Sequence, residues 1–246
     1  MGNLTICKMK KTYDKDPMGT AMADYWRNGV AGRLRVFSPD FDEDEIPVET
    51  LFREEEEMPL LEQKALAEAK GRVLDVGAGT GCHSLALQDK GLEVRAIDLS
   101  EGAVDVMKER GVRDARLQDF WQEEGQYDTI LMMMNGIGIA GTIDELPRLF
   151  ARFDELLADG GQVLLDSTDI RYVFEDENGE MEVEEDAPYY GELMYQMQYK
   201  RVRGEVFPWL YVDFETLRQC AAEHGYGAEL LAEGENYDYL ARLTKA

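Results

Sequence analysis

A glycine-rich turn with a carboxylate just before it is the part of the sequence best suited to bind a ligand. Residues 75–81 read DVGAGTG, so Asp75 precedes three glycines spaced as GxGxG. Gly77, Gly79 and Gly81 permit positive backbone φ angles and let the chain approach a ligand closely. Many nucleotide-binding folds contain such a turn, so glycine alone does not identify the ligand.

The spacing and the charge of this turn argue against a phosphate ligand. The dinucleotide fingerprint GxGxxG requires a glycine at position 82, where this chain has Cys82, and no Gly-Lys-Ser/Thr ending of a P-loop follows. The carboxylate of Asp75 repels a pyrophosphate but attracts a cation. We therefore predict a cationic ligand that has no phosphates.

Polar side chains also follow the next three apolar runs. Asp98 lies about 20 residues beyond the turn, where an acid accepts hydrogen bonds from both hydroxyls of a ribose. Asp119 and Phe120 follow the third run and offer an acceptor and a ring to an adenine. Asn135 follows the fourth run, at the carboxyl edge where open α/β sheets bind ligands.

Several of these residues have a structural alternative. Asp98 could serve the start of the following helix, and Phe120 could be a core residue. His83, in the first helical turn after the glycines, is a weak candidate for a general base, with a structural role at the helix start as the alternative. Asn135 is the other weak catalytic candidate, and no further catalytic group is identified.

The ordered segments DVGAGTG, AIDLS, QDF, YDTILMMMNG and DGGQVLL resemble the class I S-adenosylmethionine-dependent methyltransferases. The resemblance covers roughly residues 71–166 and implies S-adenosylmethionine as the cofactor, with S-adenosylhomocysteine as its product. It implies a ribose contact for Asp98, an adenine contact for Asp119 and Phe120, and a position for Asn135 beside the sulfonium. The resemblance also implies cofactor contacts for Leu99, which follows Asp98, and for five residues of the turn. These turn residues are Asp75, Gly77, Ala78, Gly79 and Gly81.

The alternation of apolar runs and helical segments predicts an α/β fold with a parallel sheet covered by helices on both faces. The resemblance implies a doubly wound, Rossmann-like, seven-stranded and mostly parallel sheet whose last strand is antiparallel. The predicted strands are residues 72–76, 92–97, 112–117, 127–133, 162–166, 229–231 and 237–243. The predicted helices are residues 82–90, 100–110, 142–157 and 213–224.

Two segments fall outside this alternation and are predicted to cap the site. Residues 1–70 show no strand pattern and read as a helical cap, with helices at 18–28 and 48–69 and an exposed acidic loop at 38–45. The methyltransferase domain would comprise residues 71–246 and would include an insert at 168–212. In that insert, residues 193–202 and 205–212 read as a β-hairpin around Arg203 and Gly204, after an acidic loop at 175–186.

Aromatic side chains of the two capping segments are candidates for the wall of a substrate pocket, although each could serve only for packing. The candidates are Tyr25, Trp26, Tyr195 and Trp209. Arg53 could bind a substrate carboxylate, but we expect it to pair with the glutamates at 54–57 beside it.

Charge and composition exclude several classes of partner. A net charge of −25, from 51 acidic and 26 basic residues, disfavours nucleic acids and anionic membranes. The Asn/Asp-Pro-Pro-aromatic motif of nucleic-acid amino methyltransferases is also absent, because residues 135–138 read NGIG. The partner we expect is a small-molecule acceptor, and the oligomeric state is left open.

The cysteines and the apolar segments indicate the compartment. Cys7, Cys82 and Cys220 show no metal-ligand spacing, so we expect no metal site and a reducing environment. No apolar stretch approaches the roughly 20 residues that span a bilayer, and residues 1–11 do not read as a signal peptide. We therefore expect a cytoplasmic protein.

The expected reaction is direct SN2 transfer of a methyl group to an O, N or C nucleophile of a small molecule. Such a reaction depends mainly on placing the nucleophile in line and excluding water. A protein or peptide methyltransferase and a non-catalytic S-adenosylmethionine-binding protein remain alternatives. A nucleotide-dependent oxidoreductase is a further alternative, disfavoured by the glycine spacing.

Overall fold

The computed structural model describes residues 13–175, 181 and 187–246, which form two β-sheets and the helices around them. The helices are α1 Pro17–Asn28, α2 Leu60–Glu68, α3 Cys82–Asp89, α4 Glu101–Arg110, α5 Leu146–Leu156 and α6 Phe214–Glu223. The strands are β1 Leu34–Phe37, β2 Asp44–Ile46, β3 Arg72–Val76, β4 Glu93–Asp98, β5 Asp114–Leu117, β6 Tyr127–Met132, β7 Leu157–Thr168, β8 Glu192–Tyr199, β9 Val202–Leu210, β10 Tyr226–Glu233 and β11 Asp238–Lys245.

The larger sheet has seven strands in the order β10-β11-β7-β6-β3-β4-β5. Strands β7, β6, β3, β4 and β5 are parallel, whereas β11 pairs antiparallel with both β7 and β10. The predicted fold class is therefore confirmed, including the reversed last strand. The order changes direction between β3 and β6, which is where open α/β sheets form a crevice for ligands.

Helices bury both faces of this sheet. Leu74 of β3 and Ile130 of β6 are fully buried in the cluster that contains the apolar side of α5. Their neighbours Val73 and Leu131 point the other way and pack in the cluster that contains α2 and α3. Burial on both faces explains why the central strands read as continuous apolar runs.

The smaller sheet has four strands in the order β2-β1-β8-β9, and it corrects the expectation that residues 1–70 contain no strand. Strand β1 pairs antiparallel with β8, with Leu34 opposite Tyr199, and β2 pairs with β1. Strand β2 reads DEI, a sequence of low strand propensity, and it also takes up the end of the acidic loop predicted at 38–45. Strand β2 therefore depends on its pairing with β1, which itself pairs with the distant strand β8.

The hairpin of the insert turns three residues earlier than predicted. Tyr199 pairs with Val202, so the turn residues are Lys200 and Arg201, and Lys200 has a φ of 52°. Gly204, which was predicted to lie in the turn, is inside β9. A Cβ atom at Gly204 would lie 3.3 Å from Cγ of Pro17, so this glycine permits close packing against α1.

Proline interrupts the helix that was predicted at 48–69. Short 3₁₀ turns occupy Val48–Phe52 and Glu55–Glu57, and the α-helix begins only at Leu60. Met58 precedes Pro59 and is extended, with a ψ of 149°. A residue before proline disfavours the helical region, which ends the earlier turns at this point.

The other predicted helices and strands are present with shifted ends. Helix α5 ends at Leu156, and β7 begins at Leu157, five residues before the start of the predicted strand at 162–166. Strand β10 extends to eight residues because it pairs along most of β11. The expectations for residues 1–11 and for most of the acidic loop at 175–186 concern residues outside those described.

Candidate functional site

The glycine turn joins β3 to α3 and leaves open space above it. Gly77, Gly79 and Gly81 have φ angles of 67°, 58° and 80°, as their spacing predicted. A Cβ atom at Gly77 would meet no heavy atom within 4 Å, whereas one at Gly81 would lie 2.6 Å from Cγ2 of Val112. Gly77 therefore leaves room for a ligand beside the backbone, and Gly81 allows α3 to pack closely. This arrangement fits S-adenosylmethionine.

Asp75 lies beneath the turn. Its side chain is 2% exposed and accepts a hydrogen bond from the Ser84 hydroxyl at 2.6 Å. Burial raises the pKa of this carboxyl, although His83 and Ser84 act to lower it. The position of Asp75 supports a negative potential under the turn. The hydrogen bond from Ser84 connects Asp75 to α3.

Asp98 connects the end of β4 to the glycine turn. One carboxylate oxygen accepts from the backbone N–H of Gly79 at 2.9 Å, and the other accepts from the N–H of Ser100 at 2.8 Å. Burial raises the pKa of Asp98 to about 6, against the lowering effect of these two N–H groups. The cap of α4 is Ser100, whose hydroxyl accepts from the N–H of Ala103, so the capping role belongs to Ser100 and not to Asp98.

The residues assigned to adenine have different surroundings. Asp119 accepts a hydrogen bond from the N–H of Trp121 at 2.9 Å at the start of a short 3₁₀ turn. Phe120 is only 5% exposed and packs on Phe153 with 6.3 Å between the ring centroids. Packing is therefore the role that the structure supports for Phe120. Leu99, beside Asp98, is 75% exposed and offers an apolar surface.

Asn135 follows β6 in the left-handed conformation, with a φ of 58°, and Met134 before it has a φ of 59°. The Asn135 N–H donates to Oδ1 of Asp166 at 3.0 Å, and its amide nitrogen donates to the carbonyl of Leu210 at 3.0 Å. Its amide oxygen accepts from the Ser167 hydroxyl at 2.8 Å. These hydrogen bonds stabilise a backbone that is costly for residues other than glycine.

A cavity of about 560 Å³ lies beyond the carboxyl ends of β6 and β7. Asn135 and Asp166 line it on the side of the larger sheet, and Tyr195 and Leu193 line it from β8 of the smaller sheet. The remaining lining residues are Phe41, Glu62, Met134, Thr168, Ile170, Tyr172, Val173, Tyr211, Asn236 and Asp238. The cavity is thus bounded by both sheets.

The four aromatic residues that were predicted to line a substrate pocket lie at different places in the structure. Tyr195 lines this cavity, whereas Tyr25 lines a smaller one of about 400 Å³ and Trp26 stacks on Phe52 with 6.2 Å between ring centroids. Trp209 packs over Gly138, where a Cβ atom would lie 2.3 Å from the indole. Trp26 is 41% exposed, and neither Trp26 nor Trp209 lines the cavity beside Asn135, so the substrate role of these two residues stays a prediction.

A buried charged cluster of Arg53, Glu62 and His83 stands at the edge of the cavity. Nε2 of His83 lies 2.7 Å from Oε2 of Glu62, and Arg53 binds both oxygens of the same carboxylate. Arg53 was expected to pair with the glutamates at 54–57, but it reaches Glu62 instead. Burial acts to raise the pKa of Glu62, yet the hydrogen bonds from His83 and Arg53 leave it lowered.

His83 is held as a cation in this cluster. Burial disfavours the charged ring, but the neighbouring Cys82 and the carboxylate of Glu62 outweigh it and raise the pKa well above the usual value. The ring is 4% exposed and engaged with Glu62. A buried imidazolium cannot accept a proton, so the structure argues against His83 as a general base.

Sequence reasoning missed Asp166 and Glu62 as site residues. Asp166 was placed at the end of a predicted strand and Glu62 in a predicted helix, and the ends of parallel strands are where ligands bind. The position of Asp166 at the end of a predicted parallel strand could therefore have identified it as a site residue. Within the described part of the chain, no group of His, Cys, Asp and Glu side chains is arranged to hold a metal ion, and no helix is long and apolar enough to cross a membrane.

Comparison with known proteins agrees with the fold. A family model described as a methyltransferase domain matches residues 51–230. The crystal structure of an SAM-dependent methyltransferase from Bacteroides fragilis, in complex with S-adenosyl-L-homocysteine, is 53% identical and has a TM-score of 0.90. That similarity covers 96% of this chain and 97% of the other.

Two curated relatives match more locally. A putative methyltransferase, YqeM, from Bacillus subtilis is 30% identical over 105 residues, and the cypemycin N-terminal methyltransferase from Streptomyces is 34% identical over 102 residues. Each match covers 39% of this chain, and the chain spans only 42% of the length of either relative.

Proposed function

We propose that this chain, which belongs to the methyltransferase domain family, transfers a methyl group from S-adenosylmethionine to a small molecule. Its domain is a class I S-adenosylmethionine-dependent methyltransferase domain, as the family match and the relative with S-adenosylhomocysteine establish. The observation that carries the choice of acceptor is the cavity of about 560 Å³ next to Asn135, a volume within the range of small-molecule sites.

The residues proposed to hold the cofactor surround the turn between β3 and α3. Gly77 and Gly79 would admit its methionine part over the buried charge of Asp75, and Asp98 would accept hydrogen bonds from the ribose. The exposed side chain of Leu99 supports an apolar contact at the adenine end. Ala78, Gly81, Asp119 and Asn135 complete the proposed set, and Phe120 would support it from the core.

The smaller sheet is proposed to cap the acceptor site. The proposed division is a capping segment at 1–70 and a methyltransferase domain at 71–246 with an insert at 168–212. Pairing of β1 with β8 supports it, because this pairing joins the capping segment to the insert. Tyr195 and Tyr211 then line the cavity together with Asp166 and Thr168 of β7.

The proposed chemistry is a direct displacement. S-adenosylmethionine supplies the methyl group and, in its sulfonium, the leaving group. The residues around the cavity would orient the nucleophile, and the aromatic side chains would exclude water from it. Asn135 would act by position, because its side chain is fully engaged with Ser167 and Leu210.

A peptide acceptor is the second candidate, and the match to the cypemycin N-terminal methyltransferase favours it. The test supplies the protein with S-adenosylmethionine labelled in the methyl group and with two separate acceptor pools. One pool contains low-molecular-mass metabolites, and the other contains peptides. Our proposal expects enzyme-dependent label in the metabolite pool, whereas label confined to peptides would establish the second candidate.

A further inference from the structure

The lining of the larger cavity combines carboxylates with aromatic rings. Glu62, Asp166 and Asp238 contribute carboxylates, and the rings belong to Phe41, Tyr172, Tyr195 and Tyr211. The phenol rings of Tyr195 and Tyr211 meet edge to face, with 6.5 Å between their centroids. Aromatic faces and carboxylates together form the usual environment of an organic cation.

Positive charge is missing from this lining. Among the described residues that line the cavity there is no Lys, Arg or His. Glu62 is already paired with Arg53 and His83, so a phosphate or carboxylate on the acceptor would face mainly the carboxylates of Asp166 and Asp238, which is unfavourable. Asp40 and Asp44 add to the negative potential, since both act on Tyr195 and help to raise its pKa behind the larger effect of burial.

We propose that the methyl acceptor is an amine, which enters the cavity as an ammonium ion and gives a proton to the carboxylate of Asp166. This inference rests on the proposed methyl transfer and adds its substrate class and proton acceptor. Asp166 stands next to Asn135, where the reacting end of the cofactor is proposed to lie, and the two are joined by a hydrogen bond of 3.0 Å.

The surroundings of Asp166 leave its charge without an ion-pair partner. In the described part of the chain no Lys or Arg side chain forms a salt bridge with this carboxylate, in contrast to Glu62, which binds both Arg53 and His83. The titratable groups that act on Asp166 or feel its charge come from four neighbouring segments and are Glu62, His83, Tyr211 and Tyr239. An ammonium ion would supply the missing counter-charge.

The acid strength of Asp166 suits this role. Burial raises the pKa of Asp166 to about 7, the N–H of Asn135 and the charge of His83 act to lower it, and Glu62 acts to raise it. A base with a pKa near the working pH accepts a proton from an ammonium ion better than an ordinary carboxylate does. Tyr195 and Tyr211 have raised pKa values, mainly through burial, so both phenols stay neutral.

The proposed steps balance in protons and electrons. The ammonium first transfers one proton to Asp166, which leaves a neutral amine with a lone pair. The lone pair forms the new bond from nitrogen to the methyl carbon, and the bond from carbon to sulfur breaks with its electrons remaining on sulfur. The products are a methylated ammonium and S-adenosylhomocysteine, and Asp166 then releases its proton to water.

Binding of three matched probes tests the substrate class. Benzylamine, benzyl alcohol and benzoate share one ring and differ in the charge of the polar group at neutral pH. The protein is first saturated with S-adenosylhomocysteine, and each probe is then titrated by calorimetry. We expect benzylamine to bind with higher affinity than the other two, and equal or stronger binding of benzyl alcohol or benzoate would overturn the inference.

Two variants of β7 test the proposed role of Asp166. Asp166→Asn should weaken benzylamine binding by roughly tenfold or more, as expected when a charge-assisted hydrogen bond is lost. Asp159→Asn removes one carboxylate at the exposed opposite end of the same strand and should bind benzylamine like the wild type. Unchanged binding in a folded Asp166→Asn variant would refute the role of Asp166.

The pH dependence of the wild-type protein provides a test that needs no variant. Asp166 is charged above its raised pKa, so lowering the pH from about 8 to about 6 should weaken benzylamine binding about tenfold. Constant affinity over this range would contradict the inference. Binding of S-adenosylhomocysteine, measured before the probes are added, distinguishes the two proposals. Failure to bind S-adenosylhomocysteine would refute the proposed function, whereas failure to bind benzylamine alone would refute only the inference that the acceptor is an amine.

Discussion

The backbone N–H of Asn135 donates a hydrogen bond to Oδ1 of Asp166 at 3.0 Å, and this contact joins the ends of two neighbouring parallel strands. Asn135 is held in the left-handed conformation by this bond and by those to Ser167 and Leu210. One loop residue thus fixes the position of a cavity carboxylate and connects the end of β6 to the end of β9.

Replacing Asn135 should therefore destabilise the fold. Asn135→Ala leaves the carbonyl of Leu210 without its donor and keeps a strained backbone, and we expect a loss of roughly 1–3 kcal/mol in the free energy of unfolding. Asn135→Gly relieves the strain and should lose less. Urea denaturation measures both variants, and an Asn135→Ala variant as stable as the wild type would contradict the role given to these hydrogen bonds.

A pair of glycine variants separates backbone strain from ligand contact. Gly77 and Gly29 both have positive φ angles, and a Cβ atom at either would meet no heavy atom within 4 Å. Alanine at each should cost about 1–2 kcal/mol of stability. Only Gly77→Ala should weaken S-adenosylhomocysteine binding, by roughly tenfold or more, because its Cβ would occupy the ligand space. Equal affinities of the two variants in calorimetry would argue against a site above Gly77.

Asp98 is expected to bind the ribose of the cofactor. Asp98→Ala should weaken S-adenosylhomocysteine binding by roughly 1–3 kcal/mol, because it removes the ribose acceptor and frees the N–H of Gly79. Glu109→Gln changes one exposed carboxylate of α4 and serves as the control. If Asp98→Ala binds the product as tightly as Glu109→Gln does, the ribose lies elsewhere.

The buried cluster should depend on its shared carboxylate. Glu62→Gln leaves Arg53 and His83 together without a counter-charge, so we expect a loss of about 3–5 kcal/mol in unfolding free energy. Glu55→Gln removes a more exposed partner of Lys90 and should cost less than about 1 kcal/mol. Comparable losses in the two variants would show that the cluster contributes no more than a surface pair.

The cluster also predicts how stability changes with pH. Because the pKa of folded His83 is raised, its protonated form contributes stability that is complete below the unfolded pKa of 6.5 and is lost as the pH rises through the folded value. The stability difference between wild type and His83→Gln should therefore be largest in mild acid and decrease in base. A difference that grows with rising pH would reverse the sign and refute a cationic His83.

The central sheet and the glycine turn were predictable because their signals are local. Apolar runs of strand length alternate with helices, and the positive φ angles at Gly77, Gly79 and Gly81 follow from residue type and spacing. The position of Asp98 at the end of β4 also follows from counting along the pattern.

The smaller sheet and the buried cluster depend on contacts between distant residues. Strand β2 is mostly charged and pairs with β1, which pairs in turn with β8, more than 150 residues away. Glu62 contacts His83, which lies 21 residues later in the sequence. The raised pKa of Asp166 likewise depends on burial by the folded chain. No window of sequence contains these partners, so periodicity could not reveal them.

Calorimetric titration with S-adenosylhomocysteine and with NAD tests the central claim most directly. A carboxylate beneath the turn and the missing third dinucleotide glycine favour a cationic ligand without phosphates. We expect the wild-type protein to bind S-adenosylhomocysteine at a single site and to give no binding heat with NAD. Tight binding of NAD without any S-adenosylhomocysteine signal would contradict the account.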